Sequence, residues 1–220
     1  MNDMSREYYV RQIKELEDGL IAEGDECMRL LSLSLKSLIN KDKALANTVM
    51  DGSKNVDMRA MELENKCIEL LALQQPMASD LRFLVTTLRI LTDFERLSRY
   101  AWDISKITLR IDTEPLLPQI DDLMELYKLV NGMVKDSLKS FVSGDVELAR
   151  GMGARDDAVD AEYDQIRRAL IDEMVKHPSS IDMASHLSFV AMYLERTADH
   201  ACVIASWTIY RATGKRVRIK

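Results

Sequence analysis

Glu95-Arg96-Leu97-Ser98-Arg99-Tyr100-Ala101-Trp102-Asp103-Ile104 returns 100 residues later as Glu195-Arg196-Thr197-Ala198-Asp199-His200-Ala201-Cys202-Val203-Ile204, with four identities in ten positions. Random composition rarely gives that many. Pro76 and Pro178 stand ahead of the two copies, 102 residues apart. A tandem duplication of a three-helix unit accounts for both observations.

Working outward, apolar residues recur at helical spacing almost everywhere. Tyr9, Ile13, Leu16, Leu20, Met28, Leu31, Leu35 and Leu38 mark one long first helix, with Gly19 and Gly24 as its weak points. Asn40-Lys41-Asp42 offers caps for a second helix from Lys43 to Leu73, with a possible bend at Gly52-Ser53 and a stop at Gln75-Pro76. Ser79-Asp80 is suited to cap a third, running to Arg110. The segment Asp112 to Pro118, with two of the four prolines, is the natural internal boundary. A fourth helix is expected over Gln119–Val142 and a fifth over Val146–Lys176. A sixth reaches Ala212, with Ser179 and Asp182 at capping-box spacing and Thr213-Gly214 as its close. The expected fold is therefore all-α: six long helices arranged as two tandem, pseudo-symmetric three-helix bundles. The first repeat spans 1–112 and the second 118–214, followed by a basic tail at 215–220.

Composition narrows the function classes. Eight Gly and four Pro are too few for the turns of an all-β fold. Thirty Lys+Arg against 36 Asp+Glu give a net charge of −6, which disfavours an extended nucleic-acid surface. Cys27, Cys67 and Cys202 are widely separated, so neither a disulfide scaffold nor a zinc cluster is indicated, and a reducing cytoplasmic setting is expected. The first residues lack the pattern of a signal peptide. The longest run without Asp, Glu, Lys or Arg, Met183–Leu194, is 12 residues, short of the roughly 18 a membrane span needs. No Gly-rich phosphate loop, nucleophile elbow or pair of Glu-x-x-His motifs is present.

Acids at i, i+4 are the chemically suggestive feature. Asp156 and Asp160, with Asp164 continuing the row, lie on the fifth helix; Glu195 and Asp199 lie on the sixth. That spacing stacks like charges on one helix face, at a cost of roughly 0.2–0.5 kcal/mol per pair. A short turn between the two helices makes them antiparallel neighbours, so four carboxylates could converge and would then need cations or protons. Oxygen-rich sites suit Mg, Ca, Mn or iron, and His200 would add a nitrogen ligand. The ordinary alternative is a solvated acidic face. His177 and His186 read as surface or turn residues, and the 13 Met mostly as core fillers. The basic stretch Arg211–Lys220 reads first as a frayed, solvated tail, and second as a contact for acidic lipid headgroups or an acidic partner.

At these residues the sequence resembles the PhoU family. The likeness is carried by Leu71-Ala72-Leu73-Gln74-Gln75-Pro76-Met77-Ala78-Ser79-Asp80-Leu81-Arg82, Asp93-Phe94-Glu95-Arg96-Leu97, Gly144-Asp145-Val146-Glu147-Leu148-Ala149, Asp156-Asp157-Ala158-Val159-Asp160 and Tyr193-Leu194-Glu195-Arg196-Thr197-Ala198-Asp199-His200-Ala201. The resemblance implies two three-helix bundles with metal held by Glu/Asp-x-x-x-Asp motifs: here Asp156, Asp160, Glu195 and Asp199. The ion would be divalent or trivalent: iron, zinc, manganese or magnesium. It also implies a cytoplasmic, non-enzymatic regulator that dampens phosphate uptake and the starvation response. Such a protein acts by contact with the ATPase subunit of a phosphate ABC transporter and a phosphate-sensing histidine kinase; a homodimer is expected separately, because elongated bundles expose apolar flanks. Two other classes compete: a metal-dependent hydrolase or oxidase using the acid cluster, and a metal-free helical adaptor. The first repeat departs from the pattern, reading Ser53-x-x-x-Asp57 and Glu95-x-x-x-Arg99. Arg99 is expected to satisfy Asp57 and Glu95 by charge-assisted hydrogen bonds and to close that site without metal.

Overall fold

The computed structural model describes residues 3–74, 76–111 and 115–219. Gln75 of the expected helix stop, residues 112–114 of the expected boundary and Lys220 of the tail lie outside the described residues. Among the described residues the fold is all-α. Six long helices are present: α1 (Asp3–Asn40), α2 (Lys43–Gln74), α3 (Ala78–Arg110), α4 (Ile120–Ser143), α6 (Met152–Lys176) and α7 (Ile181–Thr213). A one-turn α5 (Val146–Arg150) and a 3-10 turn at Pro178–Ser180 complete the list. At 38 residues, α1 is about 57 Å long at 1.5 Å per residue. No described helix is long and apolar enough to cross a membrane.

The duplication is visible atom by atom. The α1–α2 and α4–α5 corners both turn on a left-handed residue, Lys41 (φ 51°) and Gly144 (φ 71°). In both, the next residue caps the following helix: Asp42 Oδ1 accepts from Leu45 N–H at 2.9 Å, and Asp145 Oδ1 from Leu148 N–H at 2.9 Å. Ser37 Oγ meets Thr108 Oγ1 at 3.1 Å, and Ser140 Oγ meets Thr208 Oγ1 at 3.1 Å. These hydroxyls are buried and also bond to their own helix carbonyls, so each crossing of first and third helix carries the same satisfied polar pin.

Among the described residues α2 packs only on α1 and α3, whereas α4, α6 and α7 form the second bundle. The two meet through α1–α4 and α3–α7 contacts. Buried side chains from both repeats, such as Leu31, Phe94, Phe141 and Leu194, form one continuous core. At Gly24, a Cβ would stand 2.1 Å from a Leu138 methyl and 3.3 Å from the Phe94 ring, so the missing side chain allows close approach across the seam. Arg211, in the last turn of α7, pins the same seam. It donates to the carbonyls of Phe141 and Val142 and pairs with Glu17 of α1 at 3.2 Å. Its guanidinium also lies 4.4 Å from the Phe83 ring centroid. Arg211 thus belongs to the packed helix rather than to a frayed tail.

Three local expectations are corrected. The fifth helix is not continuous: it breaks after Arg150, with Gly151 as the joint between α5 and α6. Ser79-Asp80 does not cap α3, which starts at Ala78 after Met77 and holds Asp80 in its first turn. Ser179 and Asp182 form no capping box, because the 3-10 turn intervenes and the Ser180 hydroxyl bonds the His177 carbonyl instead. α2 runs unbroken through Gly52.

Candidate functional site

The turn after α6 lays α7 back along it, which brings Asp156 and Asp160 within electrostatic range of Glu195. Asp156 is buried at 3% exposure, Asp160 and Glu195 are half-buried, and Asp199 is exposed. The Glu195 carboxyl is pushed above the usual carboxylate range first by burial, then by the negative charges of Asp199, Asp160 and Asp156. Acids from two helices therefore act on one group. Cys202, one turn along α7, feels the same field: burial and the charges of Asp156, Asp199 and Asp160 push its thiol up to about 12. The thiol is buried and donates weakly to the Met152 carbonyl at 3.8 Å.

As placed, no three His, Cys, Asp or Glu side chains among the described residues stand close enough to share a metal ion. The donor chemistry nevertheless fits a hard cation. Four carboxylates carry mutual repulsion that a multivalent ion would relieve. Asp164, the next acid in the row, is spent on Arg167 and Arg168 of its own helix at 3.6 and 3.8 Å. His200 turns away to α3. Its Nδ1 lies 2.8 Å from Asp93 Oδ1 and its Nε2 3.4 Å from the Tyr100 hydroxyl. Both ring nitrogens of His200 thus face α3 across the seam. The repeat held a clue: an offset of 100 pairs His200 with Tyr100, and Tyr100 stacks on Tyr193 at 5.4 Å between the same two helices.

The matching pocket of the first repeat, about 610 Å³, brings together Ser53, Asp57, Glu95 and Arg99. Ser53 donates to the Ser98 carbonyl at 3.2 Å. Arg99 does not clamp Asp57 and Glu95 as expected. It pairs with Asp103 at 3.5 Å and lies 3.9 Å over the Trp102 ring, because the next turn of its own helix offers a carboxylate and an aromatic face. Its charge still reaches Asp57, whose carboxyl burial pushes up while Arg99 and Ser98 pull it down. Glu95 is pushed up by burial and by Glu64 and Asp57.

Sequence reasoning missed the wall of the second pocket. After Gly214 (φ 70°) the chain doubles back along α7. Lys215 N–H donates to Thr213 Oγ1 at 3.1 Å and Ile219 N–H to Ser206 Oγ at 3.0 Å. The Arg216 guanidinium lies 5.1 Å from the Trp207 ring centroid, and Ile219 packs on the core. The resulting cavity, about 680 Å³, is bounded by Asp156, Asp199, Cys202 and Trp207 on one side and by Arg216 and Arg218 on the other.

The profile of the PhoU domain matches residues 20–108 and again 123–208, one copy per repeat. The chain belongs to the PhoU family. A curated relative from Clostridium acetobutylicum, named phosphate-specific transport system accessory protein PhoU homolog, is 33% identical over 97% of this chain and 98% of its own. The crystal structure of PhoU from Pseudomonas aeruginosa superposes with a TM-score of 0.87 at 26% identity, covering 94% of this chain and 100% of the other. That of the phosphate transport system regulatory protein PhoU from Streptococcus pneumoniae gives a TM-score of 0.87 at 26% identity, over 95% and 99%. The duplicated PhoU domain thus coincides with the repeat seen in the hydroxyl pins and corner residues.

Proposed function

We propose that this PhoU-family protein is a non-enzymatic regulator of phosphate uptake and of the phosphate-starvation response. It acts by contact with the ATPase subunit of a phosphate ABC transporter and with a phosphate-sensing histidine kinase. The observation that carries this reading is the match of a PhoU domain to both repeats, together with relatives of nearly equal length named as accessory or regulatory proteins of phosphate transport. With those partners, its setting is the cytoplasm. Exposed Met58, Met61, Ile68 and Leu73 on α2 support a homodimer by offering apolar surface to a second copy.

Within this reading, Asp156, Asp160, Glu195 and Asp199 hold a divalent or trivalent cation: iron, zinc, manganese or magnesium. The ion would supply positive charge that neutralises the cluster and presents a site for anionic groups of a partner. A metal-free adaptor with an acidic face is the second reading, favoured by the lack of any three closely grouped ligands among the described residues.

The deciding experiment is affinity capture with the tagged protein from cells grown in high and low phosphate, paired with phosphate uptake in a strain lacking it. The reading expects capture of the transporter ATPase or the kinase in high phosphate, and unrestrained uptake in the deletion strain. Capture of neither protein with unchanged uptake would overturn it.

A further inference from the structure

We propose that Arg96 and Arg196 form an anion site on the outer face of the seam between the repeats, where their two guanidiniums hold a phosphoryl-class group. The inference needs no metal and goes beyond the partner contacts proposed above. Its frame is the register of α3 against α7. His200 meets Asp93 at 2.8 Å, Tyr193 stacks on Tyr100 at 5.4 Å, and Arg82 Nε donates to the Arg211 carbonyl at 2.9 Å. Each step forward on α3 is matched by an equal step back on α7, so the two helices run antiparallel in one register. Its midpoint lies halfway between 93 and 100 on α3 and halfway between 193 and 200 on α7, beside Arg96 and Arg196. Arg96 follows Asp93 by three residues and precedes Tyr100 by four, as Arg196 does Tyr193 and His200, which puts each arginine on the seam face of its helix. The duplication therefore sets two identical cations about one pseudo-two-fold axis, one from each repeat.

The electrostatics agree with this placement. Burial pushes the Tyr100 hydroxyl up, and the charges of Arg196 and Arg96 pull it down, so both guanidiniums act on one oxygen. Asp199 acts on that hydroxyl more weakly than either arginine. The other acids at the seam are engaged: Asp93 with His200, and Asp103 with Arg99 at 3.5 Å. Arg96 borders the first-repeat cavity as well, but the cation acting on Asp57 there is Arg99. Arg196 also acts on Glu195. Among the described residues neither Arg96 nor Arg196 forms an ion pair, and both are exposed. Core packing does not account for their presence in both repeats. It does account for Ala101 with Ala201 and Ile104 with Ile204, which are fully buried.

The pair also selects its ligand. Two like charges beside one axis repel unless an anion lies between them. A carboxylate brings one charge and two oxygens, which a single guanidinium fork satisfies. A phosphoryl group carries a charge of about −1.5 to −2 at pH 7 and three acceptor oxygens, enough to take a fork from each side. Free phosphate and a phosphoryl group carried on a partner protein present the same oxygens.

Calorimetric titration of the full chain at low ionic strength tests the site, with inorganic phosphate and phosphoserine as separate probes. Binding of phosphate alone marks the free ion as ligand, binding of phosphoserine alone marks a carried group, and binding of both marks a site that takes either. R96Q and R196Q should each weaken the binding about tenfold or more, the range for hydrogen bonds to charged groups, and R96Q/R196Q should abolish it. R96K/R196K keeps both charges without the forks and should recover only part of the affinity. R168Q, on the outer face of α6, should bind like the parent. Helicity is checked for every variant. Failure of the parent to bind either probe, binding that survives in R96Q/R196Q, or an equal loss in R168Q would overturn the proposal.

Discussion

Arg211 shows how much one side chain does here. It satisfies two carbonyls at the end of α4, pairs with Glu17 and covers two phenylalanine rings, with only 21% of its side chain exposed. Arg211→Met keeps the apolar bulk but leaves the Glu17 carboxylate, itself 16% exposed, without its cation. The expected cost is roughly 2–3 kcal/mol, read as a lower urea midpoint. A change within experimental error would show that the seam does not depend on this residue. Glu195 makes a different prediction. Its folded-state carboxyl holds a proton more tightly than the unfolded chain does, so above the folded value the ionised group opposes folding. That opposition fades as pH falls through the folded value towards the ordinary range near 4.5. In chelator, Glu195→Gln should therefore raise the urea midpoint at pH 7 and lose most of its advantage by pH 4.5. An advantage independent of pH would mean that neither burial nor the neighbouring acids disfavour the ionised Glu195.

Among the elements, the corners are the best gauge of what the sequence discloses. Asp42 and Asp145 are legible as caps because a short acid before an apolar periodic run has one common use. Comparing the two corners adds a prediction. Lys41 occupies a left-handed conformation that Gly144 occupies without a side chain, so Lys41→Gly should stabilise the protein by about 0.5–1 kcal/mol. Denaturant titration checks it, and a loss of stability would mean that the lysine side chain outweighs its backbone strain. The elements that escaped sequence reasoning were set by partners distant in the chain. The break at Gly151 is invisible to periodicity, because α5 and α6 each keep an apolar face. His200 looked like a ligand by adjacency to Asp199, but adjacent helical residues face about 100° apart, and its partners Asp93 and Tyr100 sit some hundred residues away. Residues 215–219 looked like a frayed end because nothing in their own composition points to Ser206 or Trp207.

Across the whole molecule, duplication supplied two equivalent pockets, and substitution has since made them electrically different. One holds Asp57 and Glu95 beside Lys54, Arg96 and Arg99; the other is lined by Asp156 and Asp199 together with Arg216 and Arg218 of the returning segment. The helices and the repeat were open to reading from spacing alone, since 3.6-residue periodicity and internal identity are properties of the chain. The electrostatic contrast was half legible: Ser53 and Arg99 announced a changed site, but not where Arg99 would turn. The central proposal is that the second repeat, and not the first, holds a multivalent cation. The most direct measurement is the metal content of purified D160N/D199N beside that of D57N/E95Q, by elemental analysis with helicity checked for both. D57N/E95Q should keep the parent's metal and D160N/D199N should lose it; full metal content in D160N/D199N would rule out the second-repeat carboxylates as its site.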